Sequence, residues 1–154
     1  MVAAAAMVVT KRTRDARASE RIQHHVFHVA LRSVDDAVIL IDPRGRITAM
    51  NAAAESLTAW TEIDALGKPL GVVFRLVDAE TRAAVVNPAM RALYARRIVG
   101  PSHDTVLIGD DGREHTVSDR ATPVCDDNAQ PLGCVLVFRS TATRGPFRVR
   151  QTSR

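Results

Sequence analysis

The stretch from Asp36 to Asn51, DAVILIDPRGRITAMN, leaves the chain few ways to fold. Ala37-Val38-Ile39-Leu40-Ile41 is a short apolar run rich in β-branched residues, too short for a helix and suited to a strand. Asp42-Pro43-Arg44-Gly45 then supplies turn chemistry, because proline presets φ and glycine accepts positive φ. Arg46-Ile47-Thr48-Ala49-Met50 follows as a second strand, so the spacing predicts a β-hairpin. Asn51 stands where that strand ends, and Ala52-Ala53-Ala54-Glu55-Ser56-Leu57 are mostly good helix formers. The asparagine is therefore expected to cap a helix, its side-chain oxygen accepting an orphan backbone N–H.

The rest of the chain extends this pattern. Residues 15–33 contain neither glycine nor proline, and Ile22, Val26 and Val29 recur at spacings of four and three. This predicts a helix with a narrow apolar stripe, suited to pairing with a copy of itself or to capping a sheet. From Thr61 to Arg97 the pattern reads as helical pieces broken at Gly67, Pro69 and Gly71. The strongest piece is Thr81 to Arg97, with Val85, Ala89, Met90 and Leu93 facing inward and Pro88 forcing a late start or a kink. Three antiparallel strands follow at Thr105–Ile108, Arg113–Val124 and Pro131–Ser140, joined through Gly109-Asp-Asp-Gly112 and the loop Asp126–Gln130.

At 154 residues the chain is the size of one domain, and its composition, 46% hydrophobic and 25% charged, is that of an ordinary globular protein. The net charge of +4 invites a nucleic-acid reading, but the excess sits at the ends. Segment 11–21 carries +3 and segment 139–154 carries +5, whereas 22–138 holds 11 basic and 15 acidic residues. A folded nucleic-acid module needs its basic face on the fold itself, so nucleic acid is disfavoured as a partner. Cys125 and Cys134 form neither a CxxC pair nor a disulfide framework, which suits a reducing cytoplasm. The apolar opening Met1–Val9 is far shorter than a membrane span and has its basic residues on the wrong side for a leader, so no membrane partner is expected.

These words, in this order, resemble the PAS family of sensory domains. The resemblance rests on Asp36-Ala-Val-Ile-Leu-Ile-Asp42, Gly45-Arg46-Ile47, Met50-Asn51-Ala52-Ala53-Ala54-Glu55, Leu57-Thr58-Ala59-Trp60 and Leu66-Gly67-Lys68-Pro69-Leu70. It continues through Val106-Leu-Ile, Asp111-Gly112-Arg113-Glu114, Ala121-Thr-Pro-Val124 and Gly133 to Arg139, and covers about residues 31–140. The chain is most similar to PAS domains that precede bacterial histidine kinase or cyclic-dinucleotide modules. The resemblance implies an α+β fold: a five-stranded antiparallel sheet, order 2-1-5-4-3, with helices on one face and an N-terminal flanking helix. It divides the chain into a disordered start (1–14), a flanking dimer helix (15–33), the PAS domain (34–140) and a basic disordered tail (141–154). It further implies a cytoplasmic sensor in a two-component or related system, a homodimer through 15–33 and the outer sheet face, and a signalling protein as partner. One departure stands out: the family often ends its last strand with Asp, an aliphatic residue and Thr, where this chain reads Ser140-Thr141-Ala142-Thr143.

Members of a fold differ in ligand, so the site is argued separately. The flavin-photosensor version needs a cysteine in a short Asn-Cys-Arg-Phe-type motif, and segment 62–80 holds none, which rejects it. Haem sensors of the family ligate iron from the long helix, yet 81–97 holds no histidine; His103 and His115 lie before and within strands. Haem is thereby disfavoured and the cofactor stays unknown. His24 and His28 share a helical face, but the zinc-protease pattern needs glutamate where His25 stands, so the cluster reads as a polar helix face and no metal site is expected. The pairs Asp35-Asp36, Asp110-Asp111 and Asp126-Asp127 fall at turns, where aspartate bonds local backbone, and no catalytic pair is expected.

Asp119 differs from these. Alternation along a strand puts Val117, Asp119 and Ala121 on one face, so an inward Val117 carries the carboxylate inward with it. A buried carboxylate needs a partner: a small ligand, or an internal one such as Arg82, Arg91 or a hydroxyl. Guided by the family's geometry, Ile39, Ile41, Val117, Asp119, Leu136 and Phe138 are expected to floor a ligand pocket, with Phe74, Val77, Val85 and Met90 as its lid. The alternative is a closed core in a ligand-free interaction module; a small enzyme or carrier on the same fold is the remaining reading. Val38, Leu40, Val135 and Val137 make the opposite face apolar as well, so a helix or a second subunit is expected to cover it.

Overall fold

Local hydrogen bonds explain why the first hairpin closes where it does. In this computed structural model, which describes residues 35–141, Asp42 Oδ1 accepts the backbone N–H groups of Arg44 and Arg46, each at 2.9 Å. Gly45 takes φ +84°, the positive value that turn requires. The expected helix over 15–33, the start 1–14 and the tail beyond Thr141 lie outside the described residues.

Strands β1 (Ala37–Ile41) and β2 (Ile47–Met50) form the hairpin, with a one-residue bulge at Thr48. Asn51 ends β2 and is 3% exposed. Its Oδ1 accepts from Ala54 N, which caps helix α1 (Ala52–Thr58), and also from Val38 N, both at 3.0 Å. Its Nδ2 donates to Asp36 O at 2.8 Å. One side chain thus fixes the entry of β1, the exit of β2 and the start of α1.

Two short helices follow, α2 (Glu62–Ala65) and α3 (Leu70–Val73), and a pair of carboxylates ties α2 down. Glu62 Oε2 accepts Met50 N at 2.9 Å, while Glu55 Oε2 accepts Glu62 N at 2.7 Å. Next comes β3 (Arg75–Asp78), a strand within a stretch whose pattern had read as helix. Beyond β3, Asp78 Oδ1 accepts the N–H groups of Thr81 and Glu80, and these bonds hold its carboxyl below the usual range. Helix α4 runs only from Pro88 to Ala95, not from Thr81. Asn87 caps it through Ala89 N at 2.9 Å, and Pro88 occupies a first-turn position where its missing N–H is harmless. The late start foreseen from Pro88 is the one observed.

Strands β4 (Val99–Ile108), β5 (Glu114–Cys125) and β6 (Pro131–Ser140) complete the sheet. β4 begins six residues earlier than the sequence pattern suggested. Gly100-Pro101 sits within it, at a break in the β4–β5 register where a proline removes no ladder bond. The sheet therefore has six strands rather than five, in the order β2-β1-β6-β5-β4-β3; the expected order is kept and extended by one edge strand. Both edge strands are four residues long and are bonded by loops on their free side. Ile47 N donates to Lys68 O and Leu70 N to Gly45 O beside β2, while Asp78 N donates to Ala83 O and Val85 N to Leu76 O beside β3.

The helices cover one face of this sheet. Ile39, Ile41, Val117, Leu136 and Phe138 from the strands join Leu70, Val73, Phe74, Ala89 and Leu93 in a single buried cluster. Phe74 and Phe138 meet at its centre with ring centroids 4.7 Å apart, tilted at 59°. Close approach of β6 to β1 is only open to glycine at Gly133, where a Cβ would lie 2.2 Å from Ile41 O.

Candidate functional site

Strand alternation gives the sheet two faces with different contents. On the inner face, under the helices, the structure places most of the residues expected to line a pocket. Ile39, Ile41, Phe74, Val117, Leu136 and Phe138 are buried in the common cluster, and Val85 and Met90 pack against its edge while half-buried. Val77 is different: it lies in β3 rather than on a helix, opposite Val106, on the face away from Leu76. Leu76 takes the inner position, so Val77 belongs to the outer face and is no part of a lid. Met90 also borders a surface groove of about 280 Å³ with Pro43, Leu93, Tyr94, Arg96 and Pro131.

Asp119 is 2% exposed and points inward among these apolar groups, as alternation required. The residue has an interaction partner within the protein. Arg82 is not the partner: it bonds Glu114 Oε2 at 2.5 Å, and that carboxylate holds the guanidinium's proton more firmly still. Glu114 opens β5, and Asp119 lies five residues further along it, about 16 Å at the rise of a strand. Arg91 is exposed on α4.

The two cysteines do not face each other. Cys134 is buried on the inner face opposite Pro123 and Ile41, whereas Cys125 is exposed opposite Pro131. Burial pushes the Cys134 thiol up to about 11. The aspartate pairs are turn residues: Asp126 Oδ1 accepts from Asn128 N and Gln130 N at 2.9 Å, and Asp111 Oδ1 from Arg113 N at 3.0 Å. Among the described residues no three histidine, cysteine, aspartate or glutamate side chains gather as metal ligands, and no helix is long and apolar enough to cross a membrane. The histidine trio at 24, 25 and 28 lies outside those residues.

The outer face carries an apolar stripe and a charged corner. Val38 pairs with Val137 and Leu40 with Val135 across β1 and β6, which sets four aliphatic side chains side by side. Val38 is buried; Leu40, Val135 and Val137 are half-buried. Toward the end of β6 the face turns polar. Arg139 stands across from Ser118 and forms an ion pair with Asp36 at 3.5 Å, and Arg120 stands across from Val137. These groups, with Pro101 and Thr141, line a cavity of about 560 Å³ bordered by Asp119 and Phe138, whose side chains face inward. The sequence reading passed over this cavity. The signal was available in the alternation that turned Asp119 inward, since it turns Ser118 and Arg120 to the opposite face.

Known proteins share this architecture. A profile described as the PAS fold matches residues 31–145. Over 128 residues the chain is 30% identical to the probable diguanylate cyclase DgcE of Escherichia coli (strain K12), covering 82% of this chain and 11% of that protein. The chain thus spans about a tenth of that relative's length. Among solved structures, the PAS domain of the protein from Colwellia psychrerythraea superposes with a TM-score of 0.61 at 20% identity, covering 80% of this chain and 98% of that one. The E. coli DhaR(N)–DhaL complex gives 0.59 at 14% identity, covering 84% and 40%. With the sheet order, the capped first helix and the profile match in agreement, the chain belongs to the PAS domain family.

Proposed function

We propose that the chain is a regulatory PAS domain that reports the state of a small ligand or protein partner through its outer sheet face. In this reading it pairs with a second copy across that face and through residues 15–33, and it catalyses nothing itself. The observation that carries the proposal is the stripe Val38–Leu40–Val135–Val137, aliphatic and in register, on the face opposite the helices. A second copy removing the half-buried Leu40, Val135 and Val137 from water gains hydrophobic free energy in proportion to the area covered. The signal is then a population shift: whatever binds one arrangement of the pair better biases it, by no more than its differential affinity. The likeness to a probable diguanylate cyclase supports a place beside an output module of that kind, and the likeness to DhaR(N) bound to DhaL supports a protein partner. Two cysteines left as free thiols support a reducing, cytoplasmic setting.

A second reading places a small ligand within the inner cluster, against Asp119. It is favoured by one observation, a carboxylate 2% exposed among aliphatic and aromatic groups. Native mass spectrometry and sedimentation of the full chain test both. The first reading expects a dimer that dissociates on dilution and is lost in Leu40→Lys and Val135→Lys variants that keep their fold. A monomer at every concentration refutes the pairing. A reproducible extra mass, retained natively and lost in Asp119→Ala, would establish the interior ligand.

A further inference from the structure

We infer that the charged corner of the outer face is a binding site for a small organic anion. The ligand would carry a carboxylate or phosphate headgroup on a short apolar body. Four observations converge on it. The cavity there, about 560 Å³, is of the size that holds small ligands, in the range of about 300–1,000 Å³. Its lining mixes polar groups from Arg120, Arg139, Asp36, Ser118 and Thr141 with the apolar Val137 and Pro101. Arg120 takes part in none of the ion pairs among the described residues, which are Arg82–Glu114, Arg113–Asp111 and Arg139–Asp36. Arg139, by contrast, is paired with Asp36 at 3.5 Å, so one guanidinium is engaged and the other is available.

The ligand's sign follows from the guanidinium that has no ion-pair partner. Arg120 and Arg139 face outward against Asp36, while Asp119, the other carboxylate bordering the cavity, turns its side chain inward. A planar guanidinium presents paired N–H donors that match a carboxylate or phosphate edge, and the neighbouring Ser118 hydroxyl adds a donor. Pro101 and Val137 then offer a surface to the ligand's carbon skeleton. The corner is built by the break in the β4–β5 register, which carries Gly100-Pro101 alongside Arg120. A Cβ at Gly100 would lie 2.5 Å from Asp119 O and 3.1 Å from Arg120 Cα, so the backbone there is already seated against β5. The site lies on the face opposite the inner cluster and shares Val137 with the stripe.

The test is a titration of the isotopically labelled full chain, followed by amide ¹H–¹⁵N spectra. Sodium butyrate and inorganic phosphate are the two probes, at ionic strength held constant with sodium chloride. Saturable shifts at Asp36, Ser118, Arg120 and Arg139 are expected. Saturation by butyrate assigns a carboxylate with an apolar body, and saturation by phosphate alone assigns a phosphate ester. Arg120→Gln should weaken the tighter probe by about tenfold, the loss of a charge-assisted hydrogen-bonded contact, with partial recovery in Arg120→Lys. Arg139→Gln serves as the second variant if the first misfolds, and Arg113→Gln, in the exposed β4–β5 turn, should change nothing. Shifts that rise linearly and spread to Arg113 would overturn the inference. So would saturable binding untouched by both Arg120→Gln and Arg139→Gln. An Arg120→Gln variant that alters sedimentation while the wild type binds neither probe would overturn it too, assigning the corner to a contact between copies.

Discussion

The two faces of the sheet are made by the same strands, residue by alternate residue, and they obey different rules. The inner face is closed by helices, and its buried strand positions are apolar apart from Asp119 and Thr105. Its identities are dictated by packing, because each side chain there must fill a shape shared with its neighbours. The outer face carries no such demand over its whole area, and there the residues sort into an apolar stripe and a charged corner. The lesson is that in this fold the inner face explains why the chain is stable, while the outer face is where sequence is free to encode what it meets.

The comparison can be broken most forcefully at Phe138. Phe138→Ala should cost about 3–5 kcal/mol in urea unfolding, since it removes the ring that meets Phe74 and leaves a cavity. A loss under about 1 kcal/mol would mean that the inner face is not packed as described. Alkaline titration gives the next largest effect. Cys134 holds its proton up to about 11 when folded, against an ordinary 9.0. The folded state therefore binds that proton more tightly, so stability is whole below about pH 9 and falls as pH rises toward 11, by about 1–2 kcal/mol once solvent screening is allowed for. Cys134→Ala should abolish this dependence, and Cys125, exposed, should be alkylated rapidly in the folded protein while Cys134 reacts only on unfolding.

Asn51→Ala should cost about 2 kcal/mol by removing the cap of α1 and leaving the buried Val38 N–H without its acceptor. Restoring the cap alone with Asn51→Ser should recover less than half of this. The smallest effect is expected outside: Val135→Thr should change monomer stability by less than about 1 kcal/mol, while weakening self-association measurably in sedimentation. If Val135→Thr proved as damaging as Phe138→Ala, the two faces would not differ in kind.

Sequence alone revealed those elements whose local chemistry and periodicity agree. The hairpin was legible because Asp42 to Gly45 is turn chemistry between two strand-like runs, and the α1 cap because Asn51 stands at the junction. β3 was missed for a physical reason. Arg75-Leu-Val-Asp78 is four residues long, and a single apolar pair has no period to read. Its stability comes from pairing with β4, a contact between residues some thirty positions apart, such as Val77 with Val106. That error carried Val77 onto a helix and into a pocket lid. The start of β4 was hidden by Gly100-Pro101, which in most contexts ends a strand but here sits at a register break. The corner cavity depends on that same break: alternation turns Ser118 and Arg120 outward together, but only the break brings Pro101 beside them. Asp119 could be placed inward from alternation alone, but its partner could not, because Arg82 goes to Glu114 through a loop path that the sequence does not specify.

The loops that flank the two four-residue edge strands have a consequence for how this domain can join anything else. Ile47 N and Asp78 N donate to those loops, and the loops donate back from Leu70 N to Gly45 O and from Val85 N to Leu76 O. An incoming extended peptide would find the hydrogen-bonding rims of the sheet already occupied, so recognition by strand addition is blocked at both ends. The same blockage guards against runaway stacking of copies rim to rim, the route by which sheets grow into fibres. Whatever this domain binds must come to it broadside, and will be chosen by side chains rather than by backbone.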